Sequence, residues 1–391
     1  MNSKELFMPM SDGASQSKKV LLGMTDGISS QVCAHLLKLQ RYDIQAVTLI
    51  YDLAEKSSSL KKSTSCELSL DQQKKIVDFC HKLNIPHHFV TITREFYDSV
   101  VETWLSKKIE GEYYSPCFDC HRIRLSFLQE EARKLKFPKV ATGHLAKVFE
   151  GTQGMAPFIT VSNDLENDQS HLIAHSDFDL SQLILPLADL TKNDVLKLAK
   201  NFGIQELSRA QSECFRPNQD LIKFIESVTP KDFLKQGEIL SFEGGMNFGI
   251  HEGVQKHFVG ESMRFKEDRW QSDGYFFEYD GPSSAIKIAP LEELKYRGVL
   301  VRLNSEMTNL KYPKTFKASI KLRQSSFACW VQLKNFNYAH IFWDEDLKVF
   351  KGETVTLQTK VGKNAKVIST GVVTETYKKA DYENSVDHLS F

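Results

Sequence analysis

The chain reads as an α/β protein in three parts: a parallel sheet wrapped by helices, a small central domain and a C-terminal β-barrel. Three observations predict this. Over the first half, short β-prone apolar runs alternate with amphipathic helical patterns, as in strands joined by crossover helices. A glycine-bearing turn stands between the first apolar run and the first helix, where such sheets bind ligands. From Gly298 onward, short β-prone runs separated by turns replace the helical patterns, as in a small barrel or sandwich.

Residues 1–18 are polar and expected to be disordered. Lys19 to Met24 is the first strand, and the turn Gly23-Met24-Thr25-Asp26-Gly27 leads into a helix with Val32, Leu36 and Leu37 on one face. Ile44 to Tyr51, Phe89 to Ile92 and Val140 to Thr142 are further strands. Leu70 to Leu83, Phe96 to Ile109 and Asn193 to Phe202 are helices, the last ended by Gly203. After about Pro217 the composition shifts, and Gln236 to Gly260 is rich in Gly and Phe. Six β-prone runs follow: Val299–Leu303, Phe316–Leu322, Cys329–Leu333, His340–Phe342, Thr354–Leu357 and Val367–Val373. The expected domains are therefore 1–215, 216–292 and 293–391.

At 391 residues and 41% hydrophobic, the chain is long enough for two or three cores. Its seven cysteines are few and odd in number, unlike a secreted disulfide scaffold. No signal peptide and no membrane-length apolar run is read, so a cytoplasmic protein without a membrane partner is expected. Net charge is zero, but residues 309–370 hold eleven Lys/Arg against four Asp/Glu. Such a basic module is an electrostatic footprint for a phosphate backbone, or simply a solvated lysine-rich surface.

Four constellations carry chemistry. Gly23-Met24-Thr25-Asp26-Gly27-Ile28-Ser29-Ser30 places glycines, hydroxyls and a helix start where phosphate could bind. An ordinary turn with Ser29 or Ser30 capping the helix fits the same residues. Cys117-x-x-Cys120, with Cys214 far downstream, offers thiols for sulfur chemistry. A helix beginning near Asp119, with Arg122 and Arg124, would lower a thiol pKa, and His121 would exchange protons. Buried structural cysteines are the plain alternative. Thr142-Gly143-His144 follows a strand and could line a nucleotide pocket. Asn167-Asp168-Gln169-Ser170 reads on its own as a helix start capped by Asp168 or Ser170.

The order of these motifs resembles the tRNA-specific 2-thiouridylase family, RNA sulfurtransferases of the N-type ATP-pyrophosphatase (PP-loop) group, from about Lys19 to about Val373. The family's G-M-S-G-G-V-D-S-S loop aligns with Gly23 to Gln31, its N-P-C/D-x-x-C-N with Ser115-Pro116-Cys117-Phe118-Asp119-Cys120-His121, and its A-T-G-H with Ala141 to His144. Its K-D-Q-S aligns with Asn167 to Ser170, its C-F with Cys214-Phe215 and its G-x-H-x-G with Gly249 to Gly253. The resemblance implies a PP-loop domain that uses ATP and Mg²⁺ to adenylate uridine O2 in tRNA. Sulfur would come from a cysteine persulfide, loaded by a separate donor protein. It implies Cys120 as nucleophile, Cys214 as persulfide carrier and Cys117 beside them. ATP would lie over Gly23, Met24, Thr25, Asp26, Gly27, Ile28, Ser29 and Ser30, with Leu49 and Gly143 at the nucleotide. RNA would meet Ser115, Pro116, His144, Asn167, Asp168, Gln169, Arg323 and Gln324, and the barrel lysines would hold its backbone.

Departures from the family pattern set the alternatives. Asp26 replaces a loop glycine, Ser29 the loop aspartate, His121 an asparagine and Gly260-Glu261-Ser262 a G-Q-R segment. An aspartate beside phosphates costs on the order of 1–4 kcal/mol, depending on the local dielectric. One alternative is a catalytically degenerate paralogue that binds RNA. Another is a thiolase of a different RNA in which Cys117, Cys120 and Cys214 ligate a 4Fe–4S cluster.

Overall fold

The computed structural model describes residues 18–60, 64, 66–151, 155–204, 214–215, 218–264, 273–304, 315–323, 325–335 and 337–378. Residues 1–17 of the polar N-terminal segment and the tail beyond 378 lie outside these. The first half holds β1 (Lys19–Gly23), β2 (Asp43–Ile50), β3 (His87–Thr91), β4 (Val140–Ala141), the hairpin β5 (Lys147–Phe149) and β6 (Phe158–Thr160), and β7 (Leu183–Ile184). Strands β3-β2-β1-β4-β7 form one sheet in that order, and every pair is parallel.

Strand alternation divides the sheet's two faces. Val20 and Leu22 enter one core cluster and Leu21 the other. Helix α1 (Ile28–Leu39) buries Val32, Cys33, Leu36 and Leu37 in the first. On the same side are α2 (Leu70–Lys82), opened by a Ser69–Gln72 capping box, and a later helix with a Thr191–Asp194 box. The opposite face takes α3 (Thr93–Phe96), α4 (Glu102–Ile109) and α5 (Pro116–Lys134). The helix expected over 96–109 thus starts earlier and passes through a π-helical turn at Tyr97–Val101. Short α6 (Ser170–Ala174), then α7 (Lys192–Asn201) and α8 (Gln219–Val228) follow.

A second sheet comprises β8 (Gly237–Ser241), β9 (Asn247–His251), β10 (Ser262–Met263), β11 (Gly274–Asp280) and β12 (Ala285–Ala289), ordered β10-β11-β12-β8-β9. The six predicted C-terminal runs become β13 (Lys295–Leu303), β14 (Thr315–Leu322), β15 (Ser325–Asn335), β16 (Tyr338–Lys348), β17 (Thr354–Gln358) and β18 (Val367–Tyr377). They close a barrel in the order β13-β16-β15-β14-β17-β18 around Val299, Ile320, Val331, Ile341, Val355 and Leu357. Closure leaves no sheet edge exposed. Among the described residues, no helix is long and apolar enough to cross a membrane.

The first sheet domain meets the second sheet's surroundings through Lys108 on α4. Its Nζ donates to the Val254 carbonyl at 3.3 Å and lies 3.4 Å from the Phe258 ring centroid. Burial drives its pKa down to about 7, with Glu261 pulling the other way. The unfolded chain therefore binds more protons than the folded one above about pH 7, up to the ordinary lysine value near ~10.4. Across that window this contact gains stability as pH rises; below it, both states hold the proton and the penalty is constant. Lys108→Met removes the charge. It is expected to melt higher than the parent at pH 7, with the gap narrowing toward pH 9. A gap that does not change with pH in calorimetry would contradict the assignment.

Candidate active site

Strand β1 neighbours β2 on one side and β4 on the other, so the loops leaving β1 and β4 diverge at a topological switch point. The loop after β1 is tied internally. Ser30 Oγ donates toward the Thr25 and Gly27 carbonyls, both at 3.0 Å, and accepts from Thr25 N at 3.2 Å. Gly27 is the N-cap residue of α1 and no side chain caps the helix. The expected Ser29 or Ser30 cap is therefore absent, and the α1 start is left to another partner. Asp26 is buried, and its carboxylate accepts from Gln72 Nε2 at 2.7 Å.

Gly143 fixes the other side of the crevice. A Cβ there would stand 2.9 Å from both the Ser29 carbonyl carbon and the Ser30 nitrogen, so the β4 loop presses directly on the α1 start. Met24 is buried, while Thr25 and Gly27 are exposed. The Leu49 side chain lies in the core, but β2 continues past its last pairing with β1 at Val47, so the Leu49 backbone reaches beyond the end of β1. Cys33 Sγ, under this loop, donates to the Thr142 carbonyl at 3.7 Å.

Cys120 and Cys214 belong to the core on the sheet face opposite α1. Helix α5 starts at Pro116, three residues before the expected position, with Ser115 as N-cap. Proline suits that first helical position. Cys117 is exposed and Cys120 is buried one turn on. Cys214 is half-buried and packs against the apolar cluster that contains Cys120, while the neighbouring Phe215 stacks on Trp104 with ring centroids 4.7 Å apart. Burial raises the Cys120 thiol pKa, and the Arg124 guanidinium opposes it. Arg124 Nε donates to Cys120 Sγ at 3.3 Å. Arg122, expected to share that task, is engaged by Asp119 at 3.0 Å.

Four histidines and Phe118 surround the α5 start. His121 and His144 lie edge to face at 5.3 Å, and Phe118 does the same with His171 at 5.6 Å and His175 at 5.0 Å. Burial lowers His121 to about 4 and His144 to about 3, so both imidazoles are neutral at pH 7. His121 Nδ1 is 2.8 Å from the Cys117 carbonyl and His144 Nδ1 is 2.8 Å from Thr142 Oγ1; a neutral ring donates to the former through Nδ1–H.

The Asn167–Ser170 turn has a different task from the one expected. Asp168 is 2% exposed, and its carboxylate takes Lys321 Nζ from β14 at 2.7 Å, the Ser162 amide at 2.9 Å and the Ser170 hydroxyl at 2.8 Å. A side chain so enclosed is not presented to RNA. Gln169 holds Leu145 through its side chain, and Asn167 binds Asp164. Arg323 is exposed but paired with Glu353 at 3.0 Å, and Gln324 lies outside the described residues. Spacing gave no sign of Tyr51, Gln72 or Lys321 near this site, because each arrives from a distant element. The Cys120–Arg124 interval of one helical turn was the one local signal.

Among the described residues, no three His, Cys, Asp or Glu side chains gather closely enough to hold a metal ion. The three thiols therefore do not fit a cluster site here, and no chemistry is assigned through one.

A parallel sheet in the order β3-β2-β1-β4-β7, with Gly143 after β4 pressed on the start of α1, defines a domain of the HUP class. The chain belongs to the family described as tRNA methyl transferase HUP domain, whose model matches residues 18–217, and the motif-based placement among the tRNA-specific 2-thiouridylases holds. A tRNA-specific 2-thiouridylase MnmA of Clostridium kluyveri is 28% identical over 357 residues, covering 87% of this chain and 95% of that protein. The one from Treponema denticola is 28% identical over 328 residues, covering 81% and 86%. A 4-thiouridine synthetase solved with RNA and ATP covers 54% of this chain and 50% of its own at 15% identity, with a TM-score of 0.33, too slight a likeness to bear on the site.

The Asp168–Lys321 pair yields a test. Burial raises the carboxyl pKa, but His171 and the Lys321 ammonium outweigh it and hold Asp168 below the ordinary range. Its stabilisation is thus present above the free aspartate value and lost as pH falls through the folded one. Lys321→Met strands a buried carboxylate and is expected to cost about 3–5 kcal/mol in urea unfolding. Adding Asp168→Asn should recover a large part of that loss; equal losses for the single and double variants would refute the pairing.

Proposed function

We propose that the protein is a tRNA uridine 2-sulfurtransferase. The observation that carries this reading is that Cys120 lies in one apolar cluster and Cys214 packs against it, in a chain whose sheet leaves the α1 start without a side-chain cap. Family membership and the 2-thiouridylase relatives support it.

Uracil O2 is a poor leaving group. ATP, as co-substrate, would supply AMP to that oxygen with loss of pyrophosphate, and the backbone of residues 23–30 with Gly143 and the Leu49 backbone would receive the nucleotide. The N–H groups at the α1 start suit its phosphates. Cys214 would carry the persulfide brought by a donor protein. Its terminal sulfur attacks C2 and AMP departs, leaving a disulfide link between Cys214 and the base. The Cys120 thiolate then attacks the Cys214 sulfur, releasing 2-thiouridine and forming a Cys120–Cys214 disulfide. An external dithiol must reduce that disulfide before the next turnover.

The target base must leave its stack to be reached. Phe118, His121 and His144 offer faces for it beside the thiols, with Ser115 and Pro116 at the rim. The barrel lysines would hold the tRNA backbone. Asp26 in the phosphate loop favours the second reading, a protein that binds tRNA without adenylating it.

The full chain, incubated with tRNA, ATP, Mg²⁺ and a persulfide donor, is expected to form 2-thiouridine and AMP, read by nucleoside mass spectrometry and chromatography. Cys120→Ser and Cys214→Ser should each reduce the product to background. Tight tRNA binding with neither AMP nor thiolated nucleoside would replace the enzyme reading with the second.

A further inference from the structure

Arg124 follows Cys120 by one turn of α5, so the two side chains share a helix face. Its Nε donates to Cys120 Sγ at 3.3 Å. Its guanidinium lies 5.4 Å from the Tyr51 ring centroid, and the Tyr51 hydroxyl is fixed by Thr64 Oγ1 at 3.0 Å. Nη2 is buried and has no hydrogen-bond partner among the described residues.

Covalent geometry says where that unpaired donor points. In a guanidinium, Nε–H and one N–H of Nη2 lie along the same edge, the edge that takes a carboxylate or phosphate at two points. Nη2 therefore faces the side on which the Cys120 sulfur already sits. Buried donors on charged groups are seldom left unsatisfied, and an orphan at a reactive thiol points to a ligand. Arg122 is not a competitor, because Asp119 engages it.

We propose that Arg124 is a positioning residue with two partners: Nε holds the Cys120 sulfur, and Nη2 receives an anionic phosphoryl oxygen brought to that sulfur. The identity of this oxygen, the phosphate on the activated uridine, rests on the sulfurtransferase reading. The presence of an anion-accepting donor beside Cys120 does not.

The test compares an anionic and a neutral alkylating reagent on the full-length reduced chain. Iodoacetate and iodoacetamide are applied separately, and Cys120 labelling is followed by peptide mass spectrometry. The ratio of the two rates cancels whatever opening both reagents require. In the parent, the iodoacetate-to-iodoacetamide ratio at Cys120 should exceed that at Cys117. Arg124→Met should lower it roughly tenfold, since a unit charge a few Å away is removed. Arg124→Lys, which keeps the charge, should stay within about threefold of the parent. An Arg that served only to pack α5 would leave the ratio unchanged in Arg124→Met, and that result overturns the inference. Should Arg124→Met not fold, a parent ratio at Cys120 no higher than at Cys117 overturns it equally. A protein that thiolates tRNA but shows no charge preference at Cys120 keeps its reaction and loses this site. One that shows the preference and thiolates nothing keeps the site and loses the reaction.

Discussion

The contact of Gly143 with the start of α1 sets the geometry on which the rest of this site depends. Two loops leave neighbouring parallel strands in opposite directions, and they come within van der Waals reach only because position 143 has no side chain. Any Cβ there meets backbone atoms of Ser29 and Ser30, which cannot rotate away as a side chain end can. The helix start is held against β4 while its first amides stay uncapped. A crevice at the switch point follows from sheet order and one missing methyl group.

The barrel is joined to that crevice by charge rather than by a broad apolar seam at this point. The Lys321 side chain is 4% exposed in the barrel wall and the Asp168 side chain 1% exposed. Such a pair need not add net stability over an apolar contact, because both ions lose water. What it supplies is register. The Lys321 ammonium also reaches the Asp168 carbonyl and His171 Nδ1, so one cation fixes the turn from which Gln169 holds Leu145. His175 with Asn304 and Thr370 adds a polar contact between the same two parts. Motion of the barrel would reach the His144 loop through this turn.

Much of the fold was legible in local patterns. All six barrel strands were visible, because alternating β-prone runs bounded by turns depend on neighbours close in sequence. The helix and strand alternation of the first half was visible for the same reason. The second sheet was not. Its strands are short, its Gly-rich composition lacks period-two alternation, and β12 pairs with β8 in parallel across more than forty residues. The α5 start lies three residues before the expected Asp119, because Pro116 occupies the first helical position. Within the site, motif order named Gly143 together with Ser29 and Ser30, which approach each other, but gave no sign of what the other named residues touch. Asp168 matched a motif expected at RNA and is buried under a barrel lysine, since a sequence pattern marks a position and leaves its burial open.

Asp26 shows how a residue that conflicts with the local chemistry is accommodated. A free carboxylate in a phosphate loop would repel its ligand over several Å. Here the carboxylate accepts a hydrogen bond from Gln72 on α2, and the Gln72 side-chain oxygen accepts from the Ser69 amide in the capping box. Gln31, one turn into α1, donates to the Asp26 backbone carbonyl. The charge is thereby drawn toward α2, while Thr25 and Gly27 remain exposed. The aspartate at 26 and the amides at 31 and 72 therefore form one hydrogen-bonded unit.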